Sequence, residues 1–105
     1  MLNFKTSDFV NAILTSKRRK VLPLMGAPGA ELSGSDLNDA YKDGEIQFKC
    51  LEALYNEFPT EAVFTFMDLS LEAEAFGSPI EFVTGEVPTV SAPIVSDEES
   101  IDALN

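Results

Sequence analysis

Apolar residues recur along this chain at two different periods, and the changes of period divide it into elements. Phe9, Val10, Ile13 and Leu14 share one helical face, behind the capping types Thr6, Ser7 and Asp8. The cations Lys17, Arg18, Arg19 and Lys20 follow and suit a helix C-terminus, so the pattern predicts a covering helix that closes on them rather than an anion-binding patch. Val21-Leu22-Pro23-Leu24-Met25 is an apolar run of strand length, in which Pro23 lacks an amide to donate and implies an edge or a bulge. Residues 26–35, rich in Gly, Pro and Ser, predict a substantial loop at that strand's carboxyl end.

Over residues 36–58, Leu37, Tyr41, Gly44, Phe48, Leu51, Tyr55 and Phe58 follow one another by steps of four and three. This predicts a long amphipathic helix, ended by Pro59 and kinked or split at Asp43-Gly44. Ala62-Val63-Phe64-Thr65-Phe66-Met67 has little alternation, the pattern of a strand covered on both faces in a parallel sheet, with Asp68 at its carboxyl end. A short helix over residues 69–76 should stop at Gly77, where a left-handed cap suits glycine. Two proline-bearing extended arms, residues 79–83 and 86–90, flank Thr84-Gly85. Ser96 and Glu99 have capping-box spacing ahead of Ile101 and Leu104.

Strand, helix, strand and helix in this order predict βαβ units with a parallel sheet. Two strands make no stable sheet, and a helix cut two turns in is marginal alone. The fold class expected is therefore α/β, with residues 1–105 forming the N-terminal portion of a (β/α)8 barrel whose chain continues past Asn105.

Composition narrows the chemistry. At 105 residues and 45% apolar content, the chain builds one modest core at most. Its net charge of -11 repels phosphate backbones and anionic membrane surfaces, so no nucleic acid or membrane partner is expected. Every Lys and Arg lies at or before Lys49, leaving twelve acids and no base from residue 50 onward. Met1-Leu2-Asn3-Phe4-Lys5 has no apolar core of leader length, the longest apolar run, residues 21–30, is broken by Pro23, Gly26 and Pro28 and predicts no span, and the single cysteine fits a reducing, cytoplasmic location.

With no histidine and one cysteine, the sequence holds no zinc tetrad, no Ser-His-Asp triad and no Cys-His pair. Gly26-Ala27-Pro28-Gly29 has neither the dinucleotide fingerprint nor a Walker lysine. Cys50, beside Leu51 and Leu54, reads as a buried structural thiol, and Glu72 and Glu74, two apart, as solvated side chains. Asp68 is the outstanding candidate. Carboxyl ends of parallel strands form the ligand face of such folds, and a carboxylate there accepts N–H donors or stabilises cations. The competing reading is a cap for the next helix, and the sequence leaves both open.

Nearly the whole chain resembles the uroporphyrinogen decarboxylase superfamily, which also contains methylcobamide:thiol methyltransferases. The likeness is carried by the first helix leading into Arg19-Lys20-Val21-Leu22-Pro23, by the loop over residues 25–32, by Phe66-Met67-Asp68, by Glu74-Ala75-Phe76-Gly77, and by residues 88–94 before an acidic helix. In the decarboxylases that loop reads Met-Arg-Gln-Ala-Gly-Arg, with arginines gripping substrate carboxylates. Here it reads Met25-Gly26-Ala27-Pro28-Gly29-Ala30, which argues against an octa-acidic substrate. Asp68 matches the family aspartate that bonds pyrrole N–H groups. The resemblance therefore implies a catalytic Asp68 and a substrate-binding stretch with Met25, Gly26 and Gly29.

The wording Ala73-Glu74-Ala75-Phe76-Gly77 and the arginine-free loop are most similar to the methyltransferase branch. That branch implies methyl transfer from a corrinoid to a thiol such as coenzyme M, with zinc lowering the thiol's pKa. Zinc and a corrinoid are thus implied for the full-length enzyme and no cofactor for this segment alone, which should be inactive by itself. The alternatives are a decarboxylase acting on another tetrapyrrole and a non-catalytic interaction module. Expected partners are a corrinoid or tetrapyrrole ligand, and the remainder of the barrel or a second copy through open strand edges.

Overall fold

The computed structural model describes residues 5–102. Residues 1–4 and the predicted helix position Leu104 lie outside them. Among the described residues the chain is mostly helical: α1 (Thr6–Leu14), α2 (Pro28–Ser33), α3 (Leu37–Lys42), α4 (Gly44–Glu57), α5 (Leu71–Ala75) and α6 (Glu98–Asp102), with two short strands, β1 (Ile80–Glu81) and β2 (Thr89–Val90).

Helix α1 ends before the basic cluster, which corrects the expectation that residues 17–20 close it. The Thr15 hydroxyl donates to the Asn11 carbonyl at 2.7 Å, and the Ser16 hydroxyl donates onward to the Arg18 carbonyl at 2.8 Å. Short polar side chains thus compete for backbone groups that another helical turn would need.

The predicted loop over residues 26–35 is also corrected, because it contains α2. Pro28 occupies the first turn, where its missing N–H costs nothing, and Gly34 ends the helix at φ 67°. Ser35 N–H returns to the Ala30 carbonyl at 2.9 Å, and Gly34 N–H to that of Glu31 at 3.2 Å. The Pro and Gly that read as loop formers are therefore the start and stop of a short helix.

Asp43-Gly44 splits the predicted long helix in two. Asp36 accepts the N–H groups of Asn38 and Asp39 to start α3, and Asp43, itself extended, accepts those of Glu45 and Ile46 to start α4. Each cap satisfies donors that a helix start leaves free, an effect worth about 1 kcal/mol. The stripe read through Phe48 and Tyr55 is corrected too, since Phe48 is 63% exposed and Tyr55 half so. Cys50, Leu51 and Leu54 are the residues that α4 buries.

The core forms where α2 and α3 lie on α4: Ala30, Ala40, Cys50, Leu51 and Phe66 cluster there, with Leu37, Tyr41 and Ile46 packed against them. Cys50 is completely buried, and its sulfur lies 3.4 Å from the Ser33 hydroxyl. The structural-thiol reading holds.

Residues 21–26 and 62–68 are extended but form no ladder, so both strand expectations are corrected: the only ladder among the described residues is the hairpin. The two segments nonetheless run in the same direction. Lys20 and Glu61 form an ion pair at their starts, and Gly26 meets the Phe66 ring at their ends. A two-stranded parallel pair is too weak to stand alone, and Pro23 has no donor for it. A side chain takes over instead: Gln47 on α4 donates to the Ala40 carbonyl at 3.1 Å and accepts Phe66 N–H at 3.4 Å. Gln47→Ala removes both bonds, and urea denaturation is expected to show a loss of about 1–2 kcal/mol, because each bond is part-buried.

The two arms around Thr84-Gly85 pair antiparallel, Ile80 with Val90 and Glu81 with Thr89. Lys42 lies 4.0 Å over the Phe82 ring and ties this hairpin to α3. Helix α5 stops as predicted at Gly77, whose φ is 95°. The last cap is displaced by one residue from the predicted Ser96–Glu99 box. Asp97 accepts Ser100 N–H at 2.8 Å, and the Ser100 hydroxyl accepts Asp97 N–H at 3.1 Å. The hydrogen bonds from Ser100 hold the Asp97 carboxyl below its ordinary pKa.

Candidate functional site

The carboxyl ends of both extended segments open onto one cleft of about 520 Å³. Leu24, Met25, Gly26 and Ala27 come from the first, Thr65, Phe66 and Met67 from the second, and Val87 to Val90 from the hairpin arm close the side. Tyr41 reaches in from α3, and Leu69 and Ser70 from the turn before α5. The lining contains no Lys, Arg, Asp or Glu.

Local chemistry explains each wall. Gly26 brings its backbone against Phe66 because a β-carbon there would lie 2.7 Å from the ring's Cε1 and closer still to Cδ1. Phe66 in turn meets Tyr41 edge to face, with centroids 5.3 Å apart and planes at 74°. Pro88 is buried in the arm, where an absent N–H needs no partner.

Among the predicted site residues, Met25 and Gly26 line the cleft. Gly29 is buried one turn into α2 and abuts the backbone of Cys50 on α4. Asp68 ends the second extended segment half-buried, and its Oδ1 accepts Ser70 N–H at 2.8 Å and the Ser70 hydroxyl at 2.6 Å. This turn precedes α5, so the carboxylate organises the approach to that helix and is held in place by it. Ser70 is itself only 2% exposed.

Burial first, and the nearby Asp68 charge second, push the Tyr41 hydroxyl above its ordinary 10.0. Tyr41 was legible only as a member of an apolar stripe. The usable signal was a hydroxylated ring at a position where Leu or Phe fills equally well, together with the Asp-x-Ser spacing of Asp68 and Ser70. A raised folded pKa makes Tyr41's contribution to stability full below about 10 and lost as pH climbs through the higher folded value. An alkaline titration followed by phenolate absorbance should therefore show a late phase that vanishes in Tyr41→Phe. In Asp68→Asn that phase should move down while staying above the ordinary value, because burial is the larger cause.

Among the described residues no three His, Cys, Asp or Glu side chains gather to hold a metal ion, and no helix is long and apolar enough to cross a membrane.

A neutral cleft at the carboxyl ends of like-directed β/α segments is where α/β barrels hold their ligands. The model of one family, uroporphyrinogen decarboxylase (URO-D), matches residues 17–105, and the chain belongs to that family, whose fold is a TIM barrel. Neither the curated proteins nor the solved structures provide a match.

Proposed function

We propose that this chain supplies the first β/α portion of a URO-D barrel, and that the complete enzyme moves a methyl group from a methylcobamide to a thiol. The observation that carries this reading is the uncharged cleft lining, with Gly26 and Ala27 following Met25. An octacarboxylate porphyrinogen calls for bidentate cations, whereas a corrinoid edge bearing neutral amides is served by apolar and hydroxyl groups such as Met67, Tyr41 and Thr89. In this reading Met25, Gly26 and Asp68 stand at one side of the ligand mouth.

The part-barrel half of the reading is supported by apolar side chains turned to water along the extended segments. Val21 is 75% and Leu24 68% exposed, and Val63 and Met67 are exposed as well. A closed barrel covers both faces of its strands. Zinc, which activates the thiol in the methyltransferase branch, has no ligand set among the described residues.

A second reading, decarboxylation of a different tetrapyrrole, is favoured by Asp68 alone. The complete product of the gene separates the two. Methyl loss from methylcobalamin to 2-mercaptoethanesulfonate, without loss of carboxylate from uroporphyrinogen, is the expected result. Decarboxylation without methyl transfer, or a reading frame whose downstream part carries arginines and no His or Cys ligands, sinks the methyltransferase assignment.

A further inference from the structure

Tyr41 brings to the cleft a polar group that the fold itself does not use. Its ring packs edge to face on Phe66, a contact that phenylalanine would make equally well. No described residue hydrogen-bonds the hydroxyl, although a half-buried tyrosine ordinarily finds a partner for it. Burial, and after it the charge of Asp68, keep the proton on that oxygen through neutral pH, so the group stands ready as a donor. The other hydroxyls of the lining are placed differently. Ser70 donates its own to Asp68, and Thr65 and Thr89 are exposed to water.

The charge beside this donor decides what it can serve. Asp68 stands between Met67 and Leu69, which both line the cleft, and lies near enough for its carboxylate to act on the Tyr41 hydroxyl. No Lys or Arg lines the cleft to neutralise it. A carboxylate entering this space leaves water for a mostly apolar wall and meets a like charge, and both effects disfavour its ionised form. A neutral carbonyl meets neither obstacle and can accept the phenol's proton.

We propose that Tyr41 determines the specificity of the cleft: its hydroxyl donates to an amide carbonyl on the edge of the ligand, and the nearby Asp68 turns away a carboxylate in the same place. The inference rests on the corrinoid reading given above and adds to it the group that tells amide from carboxylate. Apolar walls such as Met25 and Phe66 accept the flank of either kind of macrocycle, so the choice falls to the edge groups. One hydrogen bond and one like-charge repulsion, pulling in the same direction, make that choice.

Equilibrium dialysis of the complete product of the gene tests this with a pair of corrinoids that share ring and cobalt ligands. Dicyanocobinamide bears amides along its edge, and dicyanocobyrinic acid bears carboxylates there. The amide form is expected to bind at least about tenfold tighter. Tyr41→Phe is expected to weaken dicyanocobinamide about tenfold and to leave dicyanocobyrinic acid unmoved, so that the preference disappears. Asp68→Asn, which keeps an acceptor for Ser70, is expected to tighten dicyanocobyrinic acid about tenfold with little change for the amide form. A Tyr41→Phe variant that keeps the preference, or that weakens both corrinoids alike, overturns the proposal, because the ring and not the hydroxyl then carries the effect. Methyl transfer from methylcobalamin to 2-mercaptoethanesulfonate by the unaltered protein reports the underlying reading separately. Transfer together with an unmoved preference in Tyr41→Phe removes only the role of Tyr41, whereas the absence of both transfer and corrinoid binding removes that role and the corrinoid reading with it.

Discussion

Gly29→Ala is expected to cost the fold about 3 kcal/mol, the upper end of what overpacking a core takes. A β-carbon at this position would sit 2.7 Å from the Cys50 carbonyl carbon and still closer to its oxygen. The obstacle is backbone in the middle of α4, so no rotamer change relieves it. Relief requires α2 to lift away, which exposes Ala30 and opens the contact between Ser33 and Cys50. Urea denaturation followed by helical circular dichroism measures the loss, and a change under about 0.5 kcal/mol would show that α2 does not lie on α4 as described. Gly44→Ala serves as the control. Nothing lies within 4 Å of that site, and alanine's better helix propensity should leave stability unchanged or raise it by up to about 1 kcal/mol.

The second large effect is expected at Phe66, where truncation to alanine should cost about 3–5 kcal/mol. This ring is 9% exposed and joins three parts of the molecule. It packs into the core beside Leu51 and Ala40, fills the space that Gly26 leaves open, and meets Tyr41 edge to face. Its loss removes the floor of the cleft as well as core volume. Two readouts should therefore move together. Stability falls, and the late phenolate phase of Tyr41 shifts toward the ordinary tyrosine value, because burial is the larger cause of its displacement. Loss of stability with an unmoved Tyr41 titration would separate the cleft from the core and contradict the arrangement described.

These two positions mark the boundary between what is written locally and what is not. Gly29 was legible as a loop glycine before Ala30, and only the approach of α4 makes it a contact that tolerates no side chain. Phe66 was legible as one residue of a buried strand. In the structure, residues 62–68 are extended yet unpaired, and of the apolar residues there only Phe66 is buried. The periodicity of the run therefore described a surface that this chain only partly covers. Phe48 and Tyr55 show the same difference on α4, for spacing marks a face without saying what lies against it.

The sequence alone determined whatever depends on near neighbours. Asp43-Gly44 marks a break in the long helix, Gly77 a left-handed stop, Pro59 an end, and the arms around Thr84-Gly85 an extended pair; the burial of Cys50 followed from its place beside Leu51 and Leu54. The tertiary structure alone decided that residues 28–33 form a helix on α4, that the amide of Gln47 serves Phe66, and that Tyr41, Met25 and the Pro88 arm share one cleft. Caps and turns are completed by hydrogen bonds within a few residues, so their signals are local. Packing partners are chosen by contacts between residues far apart in the chain, and a pattern of apolar positions records that a partner is needed without naming it.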